Sequence, residues 1–260
     1  MLKLVHSSTL IVLAIITASS CTKPAVTVHY EGNAQVELIS FKGQRVLIDV
    51  YDPDKLSSPA TESDILLTTH DHRDHFLSMY SAVFKGKKLE MAEGEMKIDE
   101  IKIQGVYSTS LLLYMHGPNK KLIGTTAEID NYFFIIDFDG LRIIHFGDIN
   151  QEKYTAEQLS KIGKVDLAIM QFDVPWHQIN MQNKNGFKLM KEIRPSLIIP
   201  THFSIEAAEY AMTLWPCLYT EKKTIKIYKK SRTSKDTRLL FMTSLQQGYA
   251  EIAKAVEWKE

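Results

Sequence analysis

Six consecutive residues carry most of the side chains in this sequence that could do chemistry. They are His70-Asp71-His72-Arg73-Asp74-His75. Neutral imidazole and carboxylate are the ligands that a borderline divalent ion such as zinc prefers. The spacing lets His70 and His72 point the same way, while Asp74 and His75 turn towards a second position. The run therefore indicates a divalent-metal site rather than a polar surface loop with chance histidines.

The residues on either side of this run predict where it lies. An apolar stretch from Ile65 to Leu67 is typical of a buried strand. After the run, apolar residues recur at the spacing of a helix. These are Phe76, Met79, Tyr80 and Val83. The run is therefore predicted to be a strand-to-helix loop, where functional side chains are commonly held by a rigid scaffold.

The same run resembles the His-x-His-x-Asp-His signature of the metallo-β-lactamase-fold hydrolases. The order of motifs is most similar to the branch that includes the ascorbate-6-phosphate lactonase-like proteins. The resemblance covers about residues 26 to 215. It implies an α/β (α+β) fold, a four-layer αββα sandwich of two mixed sheets with helices outside. It also implies a site at one edge, where several strands end.

Two later strand ends resemble further parts of the family pattern. Gly147-Asp148 follows an apolar strand, and Pro200-Thr201-His202 follows another. Either motif alone would be a common strand-end turn. By resemblance, His70 and His72 hold a first metal position. Asp74, His75 and His202 hold a second one, and Asp148 bridges the two. Asp74 and Asp148 are the predicted catalytic residues.

The third ligand of the first position is left open. The family has a histidine where the nearest register here places Ser110. The only histidine nearby is His116, before a Gly117-Pro118 turn that allows the chain to bend sharply. His116 is therefore either the missing ligand or a surface residue.

Supporting residues are also open at this stage. Asp49 follows a strand and either orients a ligand histidine, as in the family, or only ends a turn. Trp176 and His177 are candidates for substrate contact, with simple packing as the alternative. His145, on the strand before Asp148, is predicted to be a core residue rather than a ligand.

The composition of the chain is typical of an ordinary globular protein. Its 260 residues have 31 basic and 31 acidic side chains and no net charge, so no nucleic-acid partner is expected. Residues 26–215 are predicted to form the metallo-β-lactamase-like domain. Residues 216–260 are predicted to add a C-terminal hairpin and helix packed on the same domain. A basic stretch over residues 222–238 indicates a solvated face, or a patch for anionic lipids or substrates.

The N-terminus is predicted to be an export signal. A basic start precedes the apolar stretch Leu10 to Ile16, and small residues precede Cys21. Residues 1–20 are the predicted signal peptide, and residues 21–25 a tether lipidated at Cys21. An ordinary cleaved signal is the alternative. The expected location is a bacterial membrane, facing the periplasm. With Cys21 lipidated, Cys217 has no partner within the chain for a disulfide.

The resemblance implies an exported metal-dependent hydrolase. One or two Zn²⁺ ions, or Mn²⁺ or Fe²⁺, would activate a water for attack on a small ester, lactone or phosphoester. If only one position is filled, Asp74 would accept the proton. The alternative, kept open by Ser110, is a non-catalytic, membrane-tethered binding protein with a degenerate metal site.

Overall fold

A computed structural model of the chain describes residues 24–113, 126–228 and 237–242. His116, Cys21 and the predicted C-terminal helix lie outside the described residues. Within these ranges, no helix has the length and apolar character needed to span a membrane.

The described residues form fourteen strands, four α-helices and a short 3-10 turn at Pro53–Lys55. The strands are β1 (Pro24–Gly32), β2 (Gln35–Ser40), β3 (Arg45–Ile48), β4 (Ile65–Thr68), β5 (Lys87–Glu90), β6 (Gly94–Ile98), β7 (Ile101–Leu113), β8 (Thr126–Phe138), β9 (Leu141–His145), β10 (Leu167–Gln171), β11 (Leu197–Thr201), β12 (Cys217–Thr220), β13 (Thr224–Tyr228) and β14 (Arg238–Met242). The helices are α1 (Ser78–Val83), α2 (Ala156–Ile162), α3 (Asn185–Ile193) and α4 (Ile205–Leu214).

Two mixed sheets divide these strands. A six-stranded sheet has the order β13-β1-β2-β3-β4-β5, and an eight-stranded sheet has the order β12-β14-β11-β10-β9-β8-β7-β6. One core cluster contains apolar residues of both sheets, such as Val28, Ile65, Phe134 and Ile169, so the sheets pack face to face. The alternation of apolar residues along each strand produces this arrangement, because successive side chains point to opposite faces.

The helices cover the two outer faces. A second cluster joins the eight-stranded sheet to α2, α3 and α4 through residues such as Phe146, Phe187 and Ala208. On the six-stranded sheet, Tyr80 and Phe84 of the α1 region pack against Leu47 and Leu66. The predicted four-layer αββα sandwich is therefore confirmed.

The direction of the strands distinguishes the two ends of the sandwich. β3 and β4 run parallel, as do β9, β10 and β11, so their carboxyl ends meet at one end. We call this the site end, because Asp49, His70, Asp148 and His202 follow these strands. We call the opposite end the far end. It contains the turn between β2 and β3 and the turn between β8 and β9. A hydrogen bond joins these two turns, since Phe41 N donates to Asp139 Oδ2 over 2.9 Å.

The predicted C-terminal hairpin is wrong. β13 pairs with β1 in the six-stranded sheet, whereas β14 pairs with β11 and β12 in the eight-stranded sheet. Both strands direct apolar side chains, such as Ile227 and Leu240, into the core between the sheets. Each sheet therefore gains one strand, and these residues complete the sandwich instead of adding a hairpin to it.

The first predicted helix is present as α1, but its apolar residues do not all pack on the sheet. Met79 and Val83 are 75% and 71% exposed, while Tyr80 and Phe84 make the packing contacts. Helical spacing relates Tyr80 to Phe84 as well as Met79 to Val83, so the periodicity alone did not choose between the two faces. The polar segment before β6 also contains a strand, β5, that was not predicted.

Candidate metal centre

Loops at the site end bring together six of the seven predicted ligands in two groups. His70, His72 and Asp148 form the first group, and Asp74, His75 and His202 form the second. In each group the candidate ligand atoms lie within 4.8 Å of one another. The seventh candidate, His116, lies outside the described residues. His70, His75 and Asp148 are buried, and the other three are partly exposed towards solvent.

The second group is the tighter one. His75 Nε2 lies 3.3 Å from His202 Nε2, and Asp148 Oδ1 lies 3.4 Å from the first nitrogen and 3.5 Å from the second. Asp74 Oδ2 lies 3.9 Å from His202 Nε2. Two imidazole nitrogens and two carboxylates thus converge on one small volume. Such a cluster of nitrogens and carboxylate oxygens is stabilised by a cation, either a proton or a metal ion.

Asp148 faces both groups. Its Oδ1 atom points to His75 and His202, while its Oδ2 atom lies 4.0 Å from His70 Nε2. In the first group, His72 Nδ1 lies 3.1 Å from Asp74 Oδ1, so the two groups also touch here. The carboxylate of Asp148 is therefore placed to serve both positions.

Asp49 fixes the orientation of His75. Asp49 Oδ2 lies 2.8 Å from His75 Nδ1, and the backbone N–H and hydroxyl of Thr69 each donate to this carboxylate over 2.8 Å. With the Nδ1 proton held by Asp49, Nε2 remains available as a ligand atom. Of the two roles open for Asp49, the geometry supports orientation of a histidine.

Thr69 orients His70 in the same way. Its Oγ1 donates to Asp49 and lies 3.0 Å from His70 Nδ1, so His70 must donate from Nδ1. His70 Nε2 then keeps a lone pair, and it faces the interior of the site. Nothing in the sequence pattern distinguishes Thr69, because a threonine at a strand end is common in turns without any functional role.

The electrostatics of the metal-free site are those of coupled opposite charges. Burial favours a raised pKa for Asp148, but His202 and His75 outweigh it and hold this pKa well below its usual range. Burial favours a lowered pKa for His75, but Asp148 and Asp49 raise it well above its usual range. For His70, burial and then the charge of His75 lower the pKa to about 3. Without metal, His75 therefore carries the proton and His70 is neutral.

Three buried polar atoms of the site show whether the residues present would suit a metal ion. His70 Nε2, Asp74 Oδ1 and Asp148 Oδ1 are buried, and none has a hydrogen-bond partner in the described part of the chain. Leaving such an atom unpaired costs about 1–3 kcal/mol. A divalent cation bound by these nitrogens and oxygens would offset that loss, and imidazole with carboxylate suits zinc, manganese or iron. The residues present therefore fit the predicted metal.

A support that sequence reasoning missed holds Asp148 in place. Asn131 Oδ1 accepts from Asp148 N over 3.2 Å, and Asn131 Nδ2 donates to Phe146 O and to Ser108 Oγ. Gly147 has a φ of +55°, and a Cβ atom there would lie 2.6 Å from Asn131 Oδ1. The only sequence signal was an asparagine directly before the apolar run from Tyr132 to Ile136.

Several other candidates lie beside the site and not in it. His145 is buried and bonds Ala34 O through Nε2, as expected of a core residue. His177 is also buried, and its Nε2 bonds Leu111 O over 3.1 Å, so this side chain ties its loop to β7. Trp176 is 41% exposed. Ser110 is fully buried, and its Oγ has no hydrogen-bond partner within the ranges described.

Comparison with known proteins identifies the family. A family model for the beta-lactamase superfamily domain matches residues 27–202, well over half of the chain. The chain belongs to the metallo-β-lactamase superfamily. The predicted superfamily is thus confirmed, and the narrower lactonase-like branch stays a prediction. The match ends at His202, the last of the predicted ligands in chain order.

Relatives of this superfamily member agree with that assignment. A metal-dependent hydrolase from Thermococcus onnurineus is 26% identical over 209 residues, which is 69% of this chain and 85% of the relative. A crystal structure from Thermotoga maritima, assigned to the zinc-dependent hydrolases of the superfamily, is 17% identical with a TM-score of 0.58, covering 84% of this chain and 100% of that one. A metallo-β-lactamase fold protein from Bacillus subtilis is 11% identical with a TM-score of 0.51, covering 83% and 96%. The two structures support the fold alone.

Proposed function

We propose that this metal-dependent hydrolase of the metallo-β-lactamase superfamily cleaves a small ester, lactone or phosphoester. The observation that carries the proposal is the convergence of Asp74, His75, Asp148 and His202 on one volume, with His70 beside it. The metal-dependent hydrolase from Thermococcus onnurineus supports metal dependence.

The six candidate ligands would form two metal positions. His70, His72 and Asp148 would hold one ion, and Asp74, His75 and His202 would hold the other, with Asp148 shared. A bound divalent ion would supply Lewis acidity, which lowers the pKa of a water and stabilises negative charge on the substrate oxygen. If only one position is filled, Asp74 would accept the proton that the attacking water loses; its Oδ1 atom lies 3.1 Å from His72 Nδ1 and makes no hydrogen bond in the described chain. The water oxygen bonds to the carbonyl carbon or phosphorus, the C–O or P–O bond to the alkoxide oxygen breaks, and the proton passes to that oxygen.

Zinc is the ion we propose, since imidazole nitrogens outnumber carboxylates among the six ligands in the two groups. We further propose that the protein is exported, lipidated at Cys21 and anchored to a bacterial membrane facing the periplasm. The basic start, the apolar stretch and the small residues before Cys21 support that location. Mass spectrometry of the membrane fraction should show an acylated N-terminus at Cys21; a soluble protein with a free Cys21 thiol would contradict it.

The test of the function combines metal content with turnover. Purified protein should contain zinc after loosely bound ions are removed, and should hydrolyse at least one member of a panel of lactones, esters and phosphoesters. Asp74→Asn should slow turnover by a factor of about 100 or more, in the range of lost acid–base catalysis. Asp54→Asn, which changes an exposed aspartate, is the matched control. Failure to bind zinc or manganese would refute the hydrolase and favour the binding protein.

The third ligand of the first position needs its own experiment. We propose His116 for this role, because the Gly117-Pro118 turn allows a sharp bend and no other histidine is nearby. His116→Ala should reduce two bound ions to one. One ion in both proteins would exclude His116 and leave an enzyme that works with the second position alone.

A further inference from the structure

The chain enters the fold at the far end. Strand β1 begins at Pro24, beside Tyr228, and runs towards the site end, where Ala34 O bonds His145. Its nine residues span about 30 Å at roughly 3.3 Å per residue. The entry point of the chain and the metal centre are therefore at opposite ends of the sandwich.

The surface around this entry point combines aromatic and basic side chains. Phe41, in the turn next to β1, is 54% exposed, and Lys42 Nζ lies 5.8 Å from its ring centroid. Tyr228 is 37% exposed. Lys226 is exposed on β13, the edge strand of the six-stranded sheet, and Arg238 is exposed on β14, one strand in from the edge of the eight-stranded sheet. Aromatic rings with lysine or arginine beside them are the side chains that favour a membrane–water interface.

Basic side chains lie beside the entry point of the chain. Lys226 lies on β13, which pairs with β1, and Arg238 begins β14, which pairs with the edge strand β12. The exposed acidic residues Asp99 and Glu100 lie in the turn between β6 and β7, at the opposite edge of the eight-stranded sheet. The corner at Pro24 therefore carries exposed positive charge.

We propose that this corner of the far end rests on an anionic lipid bilayer and that the metal centre faces away from it. The proposal depends on the lipid anchor at Cys21, which lies three residues before Pro24. Three residues reach at most about 10 Å, so an anchored chain must hold the start of β1 close to the lipid headgroups. The basic side chains then strengthen the attraction to such a surface.

This orientation has a consequence for the substrate. The mouth of the metal centre lies about 30 Å from the bilayer, on the length of β1. Lipids in the supporting membrane cannot reach it. The substrate is therefore a water-soluble molecule that diffuses to the site from the aqueous side.

The test measures the distance of two labelled positions from the bilayer. Phe41→Cys and Met79→Cys are made in the full-length chain with Cys217→Ser and labelled with a fluorophore. Met79 is 75% exposed and lies four residues after His75, at the site end. The membrane-extracted proteins are placed in vesicles of phosphatidylcholine and phosphatidylglycerol that carry a headgroup quencher. Metal content equal to that of the unlabelled protein shows that each variant is folded.

The proposal expects quenching at position 41 to exceed that at position 79 several-fold. Lys226→Glu should reduce the quenching at position 41 at least twofold, whereas Lys153→Glu, in the loop after Asp148, should not change it. Equal quenching at the two positions, stronger quenching at position 79, or no effect of Lys226→Glu would overturn the proposal. None of these readings uses turnover, so they separate a wrong orientation from a wrong function.

Discussion

The Nε2 atoms of His75 and His202 lie 3.3 Å apart, although 127 positions separate the two residues in the chain. At this distance the two nitrogens share a proton, with one ring donating to the other, or they bind a metal ion together once that proton is displaced. The scaffold holds the pair because Asp49 bonds the other ring nitrogen of His75, Nδ1, and because His202 directly follows β11. The protein thus holds two imidazole nitrogens at a distance that suits either a shared proton or a metal ion.

Replacing Asp148 should affect both metal positions. Its two oxygens face different groups, so Asp148→Ala should remove tight binding at one position and weaken or abolish it at the other. His72→Ala should remove metal from the first position only. Elemental analysis after removal of loosely bound ions measures both results, and near-native circular dichroism shows that the core is intact. Wild-type metal content in either variant would make its assignment as a ligand wrong.

Removing the charge of Asp49 should weaken metal binding without removing a ligand. Asp49→Asn keeps the size of the side chain but loses the carboxylate that holds His75 Nδ1, and such changes typically cost 10- to 100-fold in affinity. Competition with a chelator measures this loss. Asp64→Asn is the matched control, because Asp64 is also buried but pairs with Arg45 at the far end. Equal affinity losses in both variants would indicate a general effect of the fold and not an orienting role.

The backbone at Gly147 should not tolerate a side chain. Gly147→Ala would place a Cβ atom 2.6 Å from Asn131 Oδ1 and 2.6 Å from Thr69 Cβ, at a φ of +55°. Strain and overpacking together should lower the free energy of unfolding by about 2–5 kcal/mol. Gly43→Ala shares a positive φ but meets nothing within 4 Å, so it should lower it by only about 1–2 kcal/mol. Denaturant unfolding compares the two; equal losses would exclude a steric role.

Metal binding should release protons. In the metal-free protein, burial disfavours the charged form of His75, but Asp148 and Asp49 outweigh burial and raise its pKa well above the usual range. A metal ion on Nε2 must displace this proton, so affinity should increase as pH rises towards the raised pKa and fall as pH drops. Calorimetric titrations with zinc near pH 7, in buffers of different ionisation enthalpy, measure the number of protons released. Heats that do not depend on the buffer would contradict the protonated state.

The sandwich and the two metal groups were predicted through the family resemblance, and the motifs that carry this resemblance are local. A contiguous run such as His70 to His75, or a glycine–aspartate pair after a strand, needs no knowledge of distant partners. Strand pairing does need it, and the alternation along β13 and β14 was equally compatible with a hairpin and with membership of separate sheets. The wrong hairpin follows from that ambiguity.

The supports of the site were harder to predict. Asn131 and Thr69 act through contacts with Asp148 and Asp49 that join distant parts of the chain. A polar residue within a strand is as typical of a solvent-facing position as of a buried contact. Only the three-dimensional arrangement distinguishes a support of the metal site from an ordinary surface residue.

The carboxylate of Asp148, with one oxygen towards each group, makes the two metal positions thermodynamically dependent on each other. An ion in the tighter group would polarise and orient this shared carboxylate, and its charge would also repel a second dication. By linkage, each ion must change the affinity for the other by the same factor. A zinc titration should therefore show two unequal steps, and the concentration of free metal around the protein would set whether it carries one ion or two.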